Sequence, residues 1–196
     1  MSTQYSMETD LKEALAMAEG LSEYVRGSQL YGSTGGGFFN SMPSLTIGAL
    51  VMRLRRLHML DSSMSDKQRE NLEKATALHN QVQREWFAHY EEKLLWEAES
   101  RLKSMLVFFR ECRENPGQCP HLYKPEALKR TIVEELLGVM PGLHIESQVV
   151  NDRLKEADAA LRSIVTKSDF IWDEALAPMY PTDEYWWLYS TPPEKE

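Results

Sequence analysis

Two cysteines and one histidine stand close together in the stretch CRENPGQCPH. Cys112, Cys119 and His121 offer the thiolate and imidazole ligands that zinc prefers in proteins. Structural zinc sites need four such ligands, usually with two to four residues between paired cysteines. Here six residues separate the cysteines, and a fourth ligand would have to come from a distant histidine. Cys112 also continues an apolar stripe through Phe109, which is typical of a core position, so we predict no metal here and no cofactor.

A second candidate for metal chemistry is an acid and a histidine in HNQVQREWFAHYEE. Glu85 and His89 are four residues apart and therefore share one face of a helix. Di-iron sites in helical bundles use two Glu-x-x-His pairs that project inward, and the chain lacks a second acid–histidine pair. We interpret this pair as an exposed acid beside a half-buried imidazole. A helical-bundle enzyme that binds a metal or a small ligand is kept as an alternative function.

Three consecutive glycines, Gly35–Gly37, lie in the stretch YGSTGGGFFNSMPSL. A phosphate-binding loop follows a strand and places Lys before Ser or Thr after its last glycine. Here the flanking segments are helical, and Phe38 and Phe39 stand where the lysine would be. The dinucleotide fingerprint also fails, because it spaces its glycines around a turn. We interpret residues 32–42 as a hinge, and Phe38 and Phe39 as anchors that contact the core or a partner.

Arg53, Arg55 and Arg56 form a basic cluster in the stretch RLRRLH. On a helix, Arg53 and Arg56 share one polar face and Arg55 flanks it, an arrangement that could bind the phosphates of a nucleic acid. However, the formal net charge of the chain is −8, and no wider basic stripe accompanies the cluster. We predict that these arginines serve electrostatic docking to acidic protein segments. An accessory subunit of a nucleic-acid-handling complex is a further alternative.

The C-terminal stretch SDFIWDEALAPMYPTDEYWWLYSTPP is both aromatic and acidic. It holds three of the five tryptophans, and from Ser168 to the end there are seven acidic residues and one basic residue. Trp and Tyr dominate the hot spots of protein interfaces, which favours an anchor motif. The alternative is that the cluster folds back and covers its own helices. Between these two interpretations we predict that Trp186 and Trp187 are contact anchors.

Prolines shape the end of the chain. Pro181, Pro192 and Pro193 disfavour a helix after about residue 178, so we predict that residues 178–196 form an extended arm. The densest positive charge in the chain is the arginine cluster, and we expect the arm to cross that helix, in cis or on a neighbouring subunit. An exposed ion pair is worth at most about 1 kcal/mol, so burial of the aromatic rings must dominate this docking.

Helical periodicity governs nearly the whole chain. Apolar residues recur every three or four positions after Thr9, which we expect to cap the first helix. A second helix begins near Pro43 or Ser44, and Ser65 with Gln68 has the spacing of a capping box for the third. No segment alternates apolar and polar residues between turns. The sequence therefore predicts an all-α fold.

Residues 66–114 contain neither Gly nor Pro and carry an apolar residue every three or four positions. An unbroken helix of this length would be about 70 Å long, more than a compact domain of this size needs. Leaving its large side chains, such as Trp86, Tyr90 and Leu94, in water would be costly. Either the helix kinks or it finds a partner, and we predict a homo-oligomer formed along it.

The domain organisation follows from these elements. Residues 115–125 are a breaker rich in Pro and Gly, after which Pro125 opens another helix and a further one covers about residues 146–166. We predict a bundle of five or six helices built around the long helix, with residues 1–177 as a single domain and residues 178–196 as the arm.

The sequence also bears on the compartment. The first ten residues, MSTQYSMETD, lack the basic start and apolar run of a signal peptide. The longest apolar stretch, LTIGALVM, is far shorter than the roughly 20 residues of a membrane-spanning helix. Two cysteines do not form a disulfide framework. We therefore predict a cytoplasmic protein with free thiols and no membrane partner.

No pattern in the chain indicates catalysis. A Gly-x-Ser-x-Gly elbow is missing, and neither cysteine carries the local signature of a nucleophile. The function that we predict is a non-catalytic helical interaction or assembly module, which contacts a protein partner or a second copy of itself through aromatic anchors. The identity of the partner and of any substrate stays open.

Overall fold

The computed structural model describes residues 4–34 and 43–193. Over these ranges the fold is all-α, as the sequence predicts. The helices are α1 (Met7–Arg26), α2 (Ile47–Met59), α3 (Asp66–Glu85), α4 (Phe87–Glu114), α5 (Cys119–Val139) and α6 (Gln148–Arg162). Short 3-10 helices lie at Asp61–Ser63, Pro116–Gln118, Pro141–Leu143, Glu174–Met179 and Trp186–Tyr189. Two strands of two residues, β1 (Thr166–Lys167) and β2 (Ser190–Thr191), pair antiparallel with Thr166 opposite Thr191.

The chain divides into two compact units, and the division falls inside α4. The N-terminal unit is Ser6–Glu97, and in it α1 packs against α2 and α3. The C-terminal unit is Ala98–Glu196 together with Met1–Tyr5, and in it the aromatic residues after α6 pack on α5. The boundary that the sequence predicts between residues 177 and 178 does not coincide with this division.

Side-chain caps determine where the helices begin. The Ser6 hydroxyl accepts a hydrogen bond from the Thr9 amide, so α1 begins before the cap that the sequence suggests. Thr46 caps α2, in place of the two earlier residues that the sequence favours. Ser65 and Gln68 form the predicted capping box of α3. Each cap satisfies amide groups that a helix start leaves without a partner.

The helical segment predicted at residues 66–114 is interrupted at Trp86, which corrects the single long helix. Trp86 has φ −121° and ψ 36°, outside the helical region. Nε2 of His79 in α3 and the hydroxyl of Tyr90 in α4 are 2.9 Å apart across this break, whereas eleven residues of straight helix would separate the two backbone positions by about 16 Å. The helical path therefore bends at Trp86. The Arg26 guanidinium of α1 lies 4.8 Å from the Trp86 ring and packs on this bend.

Most of the apolar stripe in α4 is buried within the chain. Tyr90, Leu94, Ala98, Leu102 and Met105 are all buried by the chain itself. The stripe was the reason for expecting a homo-oligomer along this segment, and its burial removes that reason. Oligomerisation itself stays a prediction.

The breaker predicted at residues 115–125 is shorter in the structure. The helical path is lost only around the 3-10 turn Pro116–Gln118, and α5 already begins at Cys119. Pro125 lies inside α5 instead of opening it. Its ring removes one helical hydrogen bond to the carbonyl of His121, and both residues face solvent, where that carbonyl can be hydrated.

The aromatic C-terminal segment exists as predicted, but its described part is not an extended arm. Residues 178–193 pass from the 3-10 helix Glu174–Met179 to a second one at Trp186–Tyr189 and then to β2. Their rings form a chain of edge contacts, such as Tyr180 with Tyr185 at 4.9 Å between ring centres. The segment forms compact turns because its aromatic rings then bury area against each other and against α5.

Candidate protein-contact surface

The arginine cluster of α2 is held by α1. Arg56 donates to Asp10 at 2.7 Å, and Arg53 donates to Glu13 at 2.6 Å, with all four side chains largely buried. The acids of α1 therefore already neutralise these guanidinium groups, which leaves the expectation that the C-terminal arm crosses this helix, in cis or on a neighbouring subunit, a prediction without support from these contacts. Arg55 is half-buried and donates to the sulfur of Met59, one turn further along α2.

The C-terminal segment docks in cis on α5. The Trp187 indole N–H donates to the Thr131 hydroxyl at 2.9 Å, and the Tyr123 hydroxyl donates to the Trp187 carbonyl at 2.8 Å. The Tyr185 hydroxyl donates to the carboxylate of Glu135. Arg130 of α5 stacks 3.9 Å from the centre of the Trp187 ring, which is fully buried. Trp187 thus fills a core position within its own chain, the alternative that the sequence left open.

The remaining predicted anchors fall in different places. Trp186 is half-buried, and the Arg162 guanidinium of α6 lies 3.7 Å from its ring. Phe38 and Phe39 lie outside the described residues, together with Gly35–Gly37. The ends of their segment are fixed by two backbone hydrogen bonds of 2.9 Å between Gly32 and Leu45. The hinge and the role of the two phenylalanines stay predictions.

The candidate metal ligands do not come together. Cys112 and Cys119 form a disulfide, which corrects the prediction of free thiols and leaves no thiolate for a metal. Glu85 accepts a hydrogen bond from Gln81, and His89 lies beside the Trp86 ring. Across the two described ranges, no group of three or more His, Cys, Asp or Glu side chains is arranged to hold a metal ion.

The sequence did not indicate a polar pocket at the C-terminal end of α1. Its volume is about 390 Å³, and it lies in the N-terminal unit. The residues that line it are Gly20, Glu23, Tyr24, Gly27, Ser28, Gln29, Gly32 and Ser33. They supply hydroxyl, amide, carboxylate and backbone groups. Groups of this kind can fix the orientation of a bound segment by hydrogen bonds.

Gly32 shapes the floor of this pocket by close packing. A Cβ atom at Gly32 would lie 2.7 Å from Cδ2 of Tyr24, closer than two carbon atoms can approach. The Tyr24 hydroxyl donates to the Leu30 carbonyl at 2.8 Å and fixes the turn that follows α1. The pocket is therefore a preformed feature of the backbone. In the sequence, Gly32 is a single glycine close to a Gly-rich run, and this pattern does not indicate a pocket.

A buried lysine connects the pocket to an exposed tryptophan. The Lys93 ammonium donates to the Gln29 carbonyl and lies 5.0 Å from the ring centres of both Tyr24 and Trp96. Burial lowers the pKa of Lys93, and the neighbouring Glu92 opposes that shift. The cation holds one face of the Trp96 ring, yet the side chain of Trp96 remains 44% exposed.

Tyr31 is the second exposed ring at this end of the unit. It lies in the turn between two residues that line the pocket and is 49% exposed. We call the pocket lining together with Tyr31 and Trp96 the α1-end surface. Trp96 lies in the helical segment predicted at residues 66–114, and the position of Tyr31 became visible only once the turn after α1 was known.

Comparison with known proteins found no matching family model, no matching curated protein and no matching solved structure. Within the part of the chain that the structure describes, no helix has the length and apolar character required to cross a membrane.

Proposed function

We propose that this protein is a non-catalytic interaction module that binds a protein partner through the α1-end surface. The observation that carries the proposal is the exposure of Trp96 on a ring that Lys93 already holds in place. The exposed part of such a ring gains free energy when a partner covers it, because apolar area is then removed from water. Trp and Tyr are also the residues that most often dominate binding energy at interfaces.

Preorganisation supports the choice of Trp96 as the principal anchor. A side chain that is already fixed loses little conformational entropy on binding, so more of its burial appears as affinity. The contacts of Lys93 with the Gln29 carbonyl and the Tyr24 ring fix the ammonium group, and this group in turn holds the indole. The polar pocket beside it offers backbone and side-chain groups that can fix the orientation of a bound segment.

The wider functional predictions from the sequence stand as follows. Phe38 and Phe39 follow the pocket in the chain and remain proposed partner contacts, as does the half-buried Trp186. A second copy of the chain is one partner that the surface could take. We also keep the cytoplasm as the proposed compartment.

Neither alternative function gains a specific observation. A nucleic-acid interface would need arginines that can reach phosphates, and Arg53 and Arg56 are buried in ion pairs with α1. A metalloenzyme based on Cys112 and Cys119 would first require reduction of their disulfide. We therefore place both below the interaction module.

Site-specific photocrosslinking tests the proposal. A photoreactive phenylalanine analogue replaces Tyr31 in one variant and Met59 in a matched control, which is 51% exposed in the same unit. We expect a discrete crosslinked species from position 31 and none of the same mass from position 59. The affinity of the species captured at position 31 is then measured with purified components.

The affinity step decides the result. Trp96→Ala should weaken that complex by at least about tenfold, since a hot-spot truncation costs about 2 kcal/mol or more. Met59→Ala should leave it unchanged. An affinity that Trp96→Ala does not alter, or equal crosslinking from both positions, would show that the α1-end surface is not the contact site.

A further inference from the structure

The disulfide between Cys112 and Cys119 ties the end of one helix to the start of the next. Cys112 lies in the last turn of α4, Cys119 is the first residue of α5, and their Cα atoms are 5.5 Å apart. The bond therefore spans the 3-10 turn Pro116–Gln118, where the helical path is interrupted. Both cysteines are almost fully buried.

The same disulfide lines a small cavity in the C-terminal unit. The cavity has a volume of about 250 Å³. Its other lining residues are Arg113, Pro116, Ser163, Ile164, Pro192 and Pro193. Ser163 and Ile164 follow α6, and the two prolines follow β2. The end of the C-terminal segment thus forms one wall of the space beside the disulfide.

We propose that the Cys112–Cys119 bond is an exchangeable disulfide, and that its reduction by a dithiol loosens the end of the C-terminal segment from this cavity. The coupling has to be reciprocal, since two linked events must affect each other's equilibrium equally. Docking of Pro192 shields the bond from thiols, and the intact bond holds the helix ends against which Pro192 packs.

The exchange is an ordinary thiol–disulfide reaction. One thiolate of the dithiol attacks a sulfur of the Cys112–Cys119 bond, which forms a mixed disulfide and releases the other cysteine as a thiolate. The second thiol of the reagent, as a thiolate, then attacks the reagent's own sulfur in the mixed disulfide, which forms the reagent disulfide and releases the protein cysteine. Overall the dithiol loses two electrons and two protons and becomes a disulfide, while Cys112 and Cys119 gain them and become two thiols.

The position of each cysteine favours one direction of attack. Cys119 stands at the N-terminus of α5, where the helix dipole stabilises a thiolate, and this makes it the better leaving group. Cys112 stands near the C-terminus of α4, where a thiolate is disfavoured. The incoming thiolate therefore attacks the sulfur of Cys112, which it reaches through the cavity once the prolines move.

Reduction kinetics of the full-length protein test the proposal. The protein is purified without reductant, exposed to dithiothreitol, and its new thiols are counted by alkylation and mass spectrometry. We expect a slow reaction in the wild type, and a reaction about tenfold faster in Pro192→Gly, because removal of the ring opens the cavity wall. Pro181→Gly is the matched control: this exposed proline is not among the residues of the cavity wall, and its replacement should leave the rate unchanged.

Hydrogen exchange tests the reciprocal effect. Amides of residues 163–167 and 188–191 should exchange faster in the reduced than in the oxidised wild type, and the Cys112→Ser, Cys119→Ser double variant should resemble the reduced state. The wild-type comparison stands even where the double variant fails to fold. Free thiols in the protein as purified, equal reduction rates for both proline variants, or unchanged exchange after reduction would each overturn the proposal.

Discussion

Adjacent residues at the end of the chain have different environments. Trp187 is enclosed by α5, with its indole N–H bonded to Thr131 and its face on Arg130, whereas Trp186 is half-buried beside Arg162. Both rings have a guanidinium within 4 Å of their centre, so the cation contact does not distinguish them. The two rings differ in burial, and burial should determine how much each ring contributes to stability.

Trp187→Ala should therefore cost far more than Trp186→Ala. Loss of a fully buried Trp side chain costs about 3–5 kcal/mol, because a cavity is left and the Thr131 hydroxyl loses the hydrogen bond that it accepts from the indole. Trp186→Ala should cost about 1 kcal/mol. Neutralising the exposed Asp183 and Glu184 should cost still less. Urea unfolding of the variants measures the order, and equal midpoints for the two alanine variants would contradict it.

A second prediction at the scale of residues concerns His79 and the pH dependence of stability. Its Nδ1 donates to the side-chain amide oxygen of Asn80, and in the neutral ring Nε2 then accepts from the Tyr90 hydroxyl, 2.9 Å away. Burial lowers the pKa of His79 from 6.5, although its hydrogen bond with Asn80 opposes the shift. As the pH falls below 6.5, the unfolded state binds a proton at this histidine and the folded state does not. The contribution of His79 to the free energy of unfolding is therefore complete above pH 6.5 and is lost as the pH falls towards the lower pKa of the folded state.

His79→Gln should flatten this dependence. Between pH 7.5 and 5.5 the free energy of unfolding should fall more steeply in the wild type, by up to about 1.4 kcal/mol per pH unit of the shift. His121→Gln is the control, because His121 is exposed on α5. Urea midpoints at the two pH values give the measurement. A wild-type slope that His79→Gln does not change would mean that another group carries it.

At the scale of elements, α1 and α2 are joined by charged groups as well as by apolar packing. Asp10 accepts from Arg56 at 2.7 Å, and Arg53 lies 3.5 Å from the same carboxylate oxygen. A buried pair of this kind adds little net stability over an apolar contact, but loss of one partner leaves an uncompensated charge. The pair therefore fixes which faces of α1 and α2 meet.

Asp10→Asn should destabilise the protein by about 3–5 kcal/mol, because Arg56 then stays buried without its full counter-charge. Adding Arg56→Met should restore part of the loss, which a double-mutant cycle detects as a coupling energy of about 0.5–3 kcal/mol. The Glu19–Lys74 pair is a control of similar length, 2.6 Å, with both side chains about half exposed. Glu19→Gln should cost less than about 1 kcal/mol. Equal costs at both pairs would contradict the role of burial.

At the scale of the whole molecule, the C-terminal segment is an integral part of the C-terminal unit. It is tied at its start, where the Asp173 carboxylate accepts from the Tyr5 amide, and at its end, where β2 pairs with β1. Between these ties it buries Tyr180, Tyr185 and Leu188 in addition to Trp187. A passive tail would make none of these contacts.

Deleting residues 178–196 should lower the melting temperature and expose the apolar face of α5. We expect increased binding of a hydrophobic dye, since the rings that cover α5 are removed. Deleting residues 194–196 alone is the control and should change neither property. An unchanged melting temperature and unchanged dye binding in the long deletion would show that the segment does not stabilise the fold.

The sequence by itself determined the fold class, because a three- to four-residue apolar period and local caps such as Ser65 with Gln68 are short-range signals. It did not determine where the segment 66–114 bends, because Trp86 continues the same apolar period and only the backbone at Trp86 and the contact between His79 and Tyr90 show the bend. It did not determine the disulfide, because a turn of unknown shape separates Cys112 from Cys119. It did not determine the partners of Arg53 either, because these lie far away in the chain. The α1-end surface was hidden for the same reason: Tyr31, Gln29 and Lys93 come together only when α1 and α4 pack. Periodicity specifies which face of a helix is apolar, and tertiary packing decides what that face meets.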